Sequence, residues 1–152
     1  MASWKQQALI QAPVADVWGL LCDPTRGPDW DEDVIAVTGA PAKIEKGSTF
    51  DVTGRGPLGM KSTTTFKVEQ LEDMHELKMT CQVSGFYVHW LLTQAQEGTF
   101  AEVELGIEPV EQKPLLGRAA AALHTKSFLR RQVEKLLDSL RGAVSRERAS
   151  AS

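Results

Sequence analysis

The chain has 152 residues and a mass of 16.7 kDa, the size of one domain that buries roughly 70% of its unfolded surface without staples. Hydrophobic residues make up 42% and charged residues 24%, which excludes general disorder, and no apolar run approaches the ~20 residues of a membrane helix. The net charge of −3 gives no electrostatic reason to expect nucleic acid or an anionic membrane as partner.

Cys22 and Cys81 are too few for a disulfide framework and are not spaced as a metal site. His75, His89 and His124 are scattered, so no metal and no cofactor is expected. Residues 1–12 lack the charged start, apolar stretch and cleavage signal of an exported chain. A cytoplasmic protein with reduced thiols is the expectation.

In chain order, residues 4–12 read as a strand. Pro13 suits the first turn of a helix, and Val14, Val17, Trp18 and Leu21 recur at three- and four-residue steps as one apolar helical face. Asp23-Pro24 ends that helix, and the turn-rich stretch 25–30 follows. Strands are expected at 33–38, 48–54, 60–71, 74–81, 86–94 and 99–108, with a loop over 54–59. From about Gln112 to Val144 the spacing of Leu115, Ala119, Leu123, Leu129, Val133, Leu136, Leu137, Leu140 and Val144 predicts one long helix. Residues 1–146 read as a single domain and 147–152 as a flexible tail.

Hairpin arithmetic predicts which side chains face inward. A two-residue turn at Glu72-Asp73 pairs Val68 with Leu77, Phe66 with Met79 and Thr64 with Cys81. A four-residue loop, Gln82 to Gly85, pairs Met79 with Val88 and Leu77 with Trp90. A turn at Glu97-Gly98 pairs Leu92 with Val103 and Trp90 with Leu105. All three place the apolar residues on one face, with Met60 on the same side. Lys61, Lys67, Glu69, Glu102, Glu104 and Glu108 fall on the other face, together with Tyr87 and His89, with His89 opposite Glu104. A sheet with one dry face and a helix with one dry stripe must cover each other.

The opening Ala8-Leu-Ile-Gln-Ala-Pro-Val-Ala-Asp-Val-Trp18, then Leu20-Leu-Cys-Asp-Pro24 and Pro28-Asp-Trp30, resembles the start of the START/Bet v1-like superfamily, also labelled SRPBCC or polyketide cyclase/dehydrase-like. Gly98-Thr99 is similar to that family's Gly-Thr before the final strand. The resemblance implies an α+β helix-grip fold: a curved antiparallel sheet of about seven strands around a long C-terminal helix, with two short helices after the first strand. It also implies a hollow between helix and sheet that takes apolar small molecules.

Residues with a place in such a hollow are Trp30, Phe50, Val52, Ser62, Thr64, Phe66, Met79, Cys81, Phe86, Val88, Trp90, Val103, Ala119, Ala120 and Leu123. For most of these the competing reading is plain core. The small residues 119–122 leave room where larger ones would fill it, or simply favour a helix. Ser62 and Thr64 on a dry face need hydrogen-bond partners, and Cys81 reads as a small apolar filler. His124 is a candidate for the mouth. The carboxylates Asp29, Asp31, Glu32 and Asp33 read as a solvated loop rather than a calcium site. The basic residues of 126–148 suit the dipole of a helix C-terminus.

The expected function is binding of a lipid, polyketide or aromatic metabolite in the hollow. One alternative is a polyketide cyclase or dehydratase in the same hollow, although no catalytic constellation stands out. Another is a dimerising or partner-binding module with a filled core, watched for at Leu91, Tyr87 and Phe100. The partner expected is an apolar small molecule, with no nucleic acid and no stable membrane insertion, for a monomer or homodimer.

Overall fold

The computed structural model describes residues 2–108 and 114–151. Strand β1 (Ser3–Ile10) leads into helix α1 (Val14–Leu21), a 3-10 turn (Pro24–Arg26) and the one-turn helix α2 (Gly27–Trp30). Six strands follow: β2 (Val34–Thr38), β3 (Thr49–Arg55), β4 (Lys61–Glu72), β5 (Glu76–Cys81), β6 (Phe86–Ala95) and β7 (Gly98–Ile107). Helices α3 (Pro114–Leu123) and α4 (Lys126–Ala151) close the chain. The strands form one antiparallel sheet in the order β1-β7-β6-β5-β4-β3-β2. This is the helix-grip arrangement expected from the resemblance.

The C-terminal helix is not continuous. The chain leaves the helix at His124-Thr125, and Thr125 Oγ1 accepts a hydrogen bond from Phe128 N at 3.2 Å. That is an N-cap, and it starts α4 as a separate helix. Residues 112 and 113 of the expected helix lie outside the described residues. At its other end α4 runs through the segment assigned to a tail and reaches Ala151. There Arg148 donates to Asp16 of α1 at 2.9 Å, and Glu147 pairs with Arg26.

Two of the three hairpin registers differ from expectation by slips that keep the inner face. In the β6–β7 hairpin Trp90 pairs with Val103 and Leu92 with Ala101, because the turn is at Gln96-Glu97, one residue earlier. This changes each pairing by two residues, and with a side-chain period of two the face is unchanged. In the β4–β5 hairpin the loop has three residues, with Met74 at φ 60°. Leu71 therefore pairs with Leu77. The odd loop would turn one strand's apolar face outward. A bulge at Glu69 takes one residue back, so that Val68 pairs with Met79 and Phe66 with Cys81. The β5–β6 pairings, Met79 with Val88 and Leu77 with Trp90, are as expected. A second irregularity lies at Ile35 in β2.

The inner face is dry: Val68, Leu77, Trp90, Leu92, Ala101, Val103 and Leu105 are buried, as are Leu129, Val133, Leu137, Leu140 and Val144 of α4. Met60, expected on this face, lies just before β4 and is half exposed.

On the outer face Tyr87 is buried rather than exposed. It lies over Gly106, where an added Cβ would meet the tyrosine Oη at 2.6 Å. Lys78 Nζ sits 4.9 Å from the ring centroid. Burial first, and the Glu104 carboxylate second, push the Tyr87 hydroxyl up to about 12. His89 is paired in register with Glu104, but its Nε2 contacts Glu76 Oε2 at 2.6 Å, so the surface His–Glu contact is made with β5 instead. Gly85 closes the β5–β6 loop at φ 79°, with its Cβ position 1.6 Å from Glu108 O. No side chain fits there.

Candidate functional site: a hollow between helix and sheet

Helix α4 packs on β1 and β7, at one side of the sheet. Ala8 of β1 and Ala101 of β7 are directly paired there, and small inward residues let a helix approach closely. Farther across the sheet the inward residues are large: Phe50, Phe66, Phe86 and Trp90. Between them, α2 and the flank of α4, a hollow remains.

Its inner part has a volume of ≈ 170 Å³. Its walls are Val37, Phe50, Val52, Phe66, Met79, Phe86, Val88 and Trp90 from the strands, Trp30 from α2 and Leu136 from α4. Trp30 meets Trp90 edge-to-face, with centroids 6.3 Å apart at 68°, a favoured aromatic geometry. The outer part has a volume of ≈ 330 Å³ and adds Ser62, Thr64, Cys81, Ser84, Leu123, His124, Phe128 and Gln132. The two share Asp31, Val34, Val52, Phe66, Phe86, Leu105 and Leu136, so they are sections of one hollow. Together they fall within the ~300–1,000 Å³ usual for small-molecule sites.

Most of the residues singled out in the sequence meet here. Trp30, Phe50, Val52, Phe66, Met79, Phe86, Val88 and Trp90 line the inner part, and Thr64 and Cys81 the outer. Ser62 and Leu123 belong to the rim and are exposed, so the Ser62 hydroxyl meets solvent and needs no buried partner. Val103 is a correction: it is fully buried in the core and outside the lining. Ala119 is another, being exposed on α3 and away from the lining. The side chain of Ala120 lies outside the described residues. His124 does stand at the outer part, its ring 5.2 Å from Phe86 and 5.5 Å from Phe128.

Two features escaped the sequence reading. Phe128, Gln132 and Leu136 recur every four residues along α4 and form the flank that faces the hollow, beside the buried stripe. That spacing was available in the sequence. The second is Asp31, read as part of a solvated loop. Asp31 caps α2 and lines both parts of the hollow. Burial pushes its carboxyl up to about 6; the Asp33 N–H, donating to Oδ1 at 3.0 Å, pulls the other way, and the Asp33 carboxylate adds to the rise.

The neighbouring carboxylates have their own cation. Lys135 Nζ donates to both oxygens of Asp33 at 3.1 Å and lies 3.1 Å from Glu32 Oε1. Burial alone would lower the Lys135 pKa, but the hydrogen bonds to Asp33 and Glu32 outweigh it and raise it. Trp30 Nε1 is buried without a hydrogen-bond partner among the described residues. Such a donor is costly until a water or ligand oxygen accepts from it. Burial also raises the Cys22 thiol. Among the described residues no cluster of His, Cys, Asp and Glu is arranged to hold a metal ion.

A family model described as polyketide cyclase/dehydrase and lipid transport matches residues 1–145. The chain belongs to this family. Among solved structures, the polyketide cyclase/dehydrase fold seen here is similar to a START superfamily protein from Mycobacterium smegmatis, at 15% identity and a TM-score of 0.73 over 96% of this chain and 99% of that one. It is also similar to the ZhuI aromatase/cyclase from Streptomyces sp. R1128, at 13% identity and a TM-score of 0.69 over 95% and 93%. A third is a protein from Thermus thermophilus, at 18% identity and a TM-score of 0.69 over 99% of both chains. At these identities the likeness is one of fold. No curated protein matches the sequence. Among the described residues, no helix is long and apolar enough to cross a membrane.

Proposed function

We propose that the protein binds an apolar small molecule, of lipid, polyketide or aromatic type, in the hollow between sheet and helix. The observation that carries this is an unfilled space walled by Phe50, Phe66, Phe86, Trp30 and Trp90, next to a half of the sheet whose inward Ile10, Ala101 and Val103 are buried. Burying ~400 Å² of apolar ligand surface yields ~10 kcal/mol gross. Lost ligand freedom takes back ~4 kcal/mol or more, which leaves micromolar binding within reach.

The test is a panel of lipids, polyketides and aromatic compounds, read by melting temperature and by the fluorescence of Trp30 and Trp90. Several hydrophobic members should raise the melting temperature. Met79→Trp, which fills the inner part, should keep the fold and lose the response. Silence across the whole panel would remove the proposal.

A second reading, turnover of a polyketide-like substrate, is supported by Asp31, a carboxyl in the hollow whose pKa of about 6 suits general acid–base work. Its test is product formation, followed by mass spectrometry, that disappears in Asp31→Asn while ligand binding persists.

A further inference from the structure

We propose that the hollow selects hydrophobic amines, with the Asp31 carboxylate taking the ligand's ammonium group and the aromatic walls holding its apolar part. The inference rests on reading the hollow as a binding site and adds the chemical class of the occupant.

Three observations converge on it. First, the charged residues lining the inner part are Asp23 and Asp31, both acidic. Second, the nearby cations bond elsewhere. The Lys135 charge lowers the Asp31 carboxyl somewhat, but its ammonium bonds Asp33 and Glu32, and Arg55, on the outer wall, reaches Glu32 O at 3.5 Å. Among the described residues, the one hydrogen bond to the Asp31 carboxylate comes from Asp33 N. A partly buried carboxylate with so little support gains most from a cation brought by the ligand, because the low dielectric strengthens that pairing. Third, the lining that includes Asp31 also includes Trp30, Phe66 and Phe86, and aromatic faces attract ammonium groups electrostatically. The same field repels a hydrophobic carboxylic acid.

The charged and titratable groups that share the lining with Asp31 or act on its carboxyl fix how this depends on pH. They are Asp23 before the 3-10 turn, Glu32 and Asp33 after it, Arg55 of β3, His124 at the α3–α4 junction and Lys135 of α4. The Asp31 carboxyl is mostly ionised at pH 7.5 and mostly neutral at pH 5, since burial raises it to about 6. If the ammonium needs the ionised form, its affinity falls about tenfold between these two pH values. A histidine gains charge over the same range, so the role of His124 has to be separated from that of Asp31.

Calorimetric titration with 1-naphthylmethylamine, 1-naphthylmethanol and 1-naphthylacetic acid makes the comparison at constant shape. At pH 7.5 the amine should bind about tenfold more tightly than the alcohol, and the acid most weakly. In Asp31→Asn, which keeps an oxygen to accept from Asp33 N, amine and alcohol should bind within about twofold of each other. Moving wild type to pH 5 should weaken the amine about tenfold and leave the alcohol within about twofold. In Asp31→Asn the same move should leave the amine within about twofold; a larger loss assigns the effect to His124 and overturns the proposal. It is also overturned if the three compounds bind alike to wild type, or if the amine keeps its advantage in Asp31→Asn. Should that variant fail to fold, His124→Gln decides in its place: the amine should keep its tenfold loss between about pH 7.5 and pH 5 there, and disappearance of that loss overturns the proposal. If none of the three binds while neutral members of the wider panel do, the amine class alone falls. If the wider panel is silent too, the binding site falls with it.

Discussion

One sheet supports two kinds of interior. Over β1 and β7 the helix α4 lies close, and Ile10, Val103, Leu129, Leu140 and Val144 are shut off from solvent. Over β3 to β6 the inward residues follow the same two-residue alternation, yet Phe66, Met79, Phe86 and Val88 are only partly buried. The difference is side-chain size against helix distance. The paired Ala8 and Ala101 admit the helix on one side, and aromatic rings hold it off on the other. A dry alternating strand is therefore no guarantee of a filled core. The two halves also differ in charge, since the open one carries Asp31 and the closed one carries no buried carboxylate among the described residues.

Truncation separates the halves most strongly. Leu140→Ala, in the closed half, should cost about 3 kcal/mol of unfolding free energy in a denaturant titration. A loss below about 1 kcal/mol would mean that this half is loosely packed. The next largest effect has the opposite sign. The folded state raises the Asp31 carboxyl from 3.8 to about 6, so the fold disfavours the ionised group. Stability attributable to this residue is lowest above about pH 6 and is regained as the pH falls toward 3.8. Asp31→Asn should therefore gain about 1–2 kcal/mol at pH 7.5, after allowance for partial exposure, and this gain should shrink between pH 6 and pH 4. A variant equally stable at all these pH values would place Asp31 in water.

Smaller effects sharpen the contrast. Val52→Ala, on the wall of the hollow, should cost about 1 kcal/mol or less, because the space it leaves joins one already present. A cost equal to that of Leu140→Ala would erase the distinction between the halves. Arg148→Ala, which breaks the exposed pair with Asp16, should change stability by about 0.5 kcal/mol or less.

The fold was largely readable because its errors were even-numbered. The β6–β7 register is off by two residues, and a period of two forgives that. The β4–β5 loop is off by an odd number, and the bulge at Glu69 repairs it. Neither the loop length nor the bulge has a strong local signal. The break at His124-Thr125 did have one, since Thr125 can cap a helix, but the apolar spacing runs on across it. The site was readable as a face, not as a volume. Alternation says that Phe66 and Val103 point the same way; only the helix position says that one borders space and the other does not. Asp31 was missed because three other acidic residues within four positions make its segment look wet. Its burial depends on β3 and α4, which are distant in sequence.

The extra residue at Glu69 has a consequence for how this protein changes. It lies in the strand that carries Phe66 and Val68 toward the interior. Deleting it would join Val68 to Gln70, which already oppose the consecutive Met79 and Lys78. The ladder becomes regular, and Phe66 and Val68 keep their face. Deletion of that codon should be nearly silent, while deletion of a residue within β6, whose pairings contain no bulge to absorb it, should be among the most damaging events the gene can suffer.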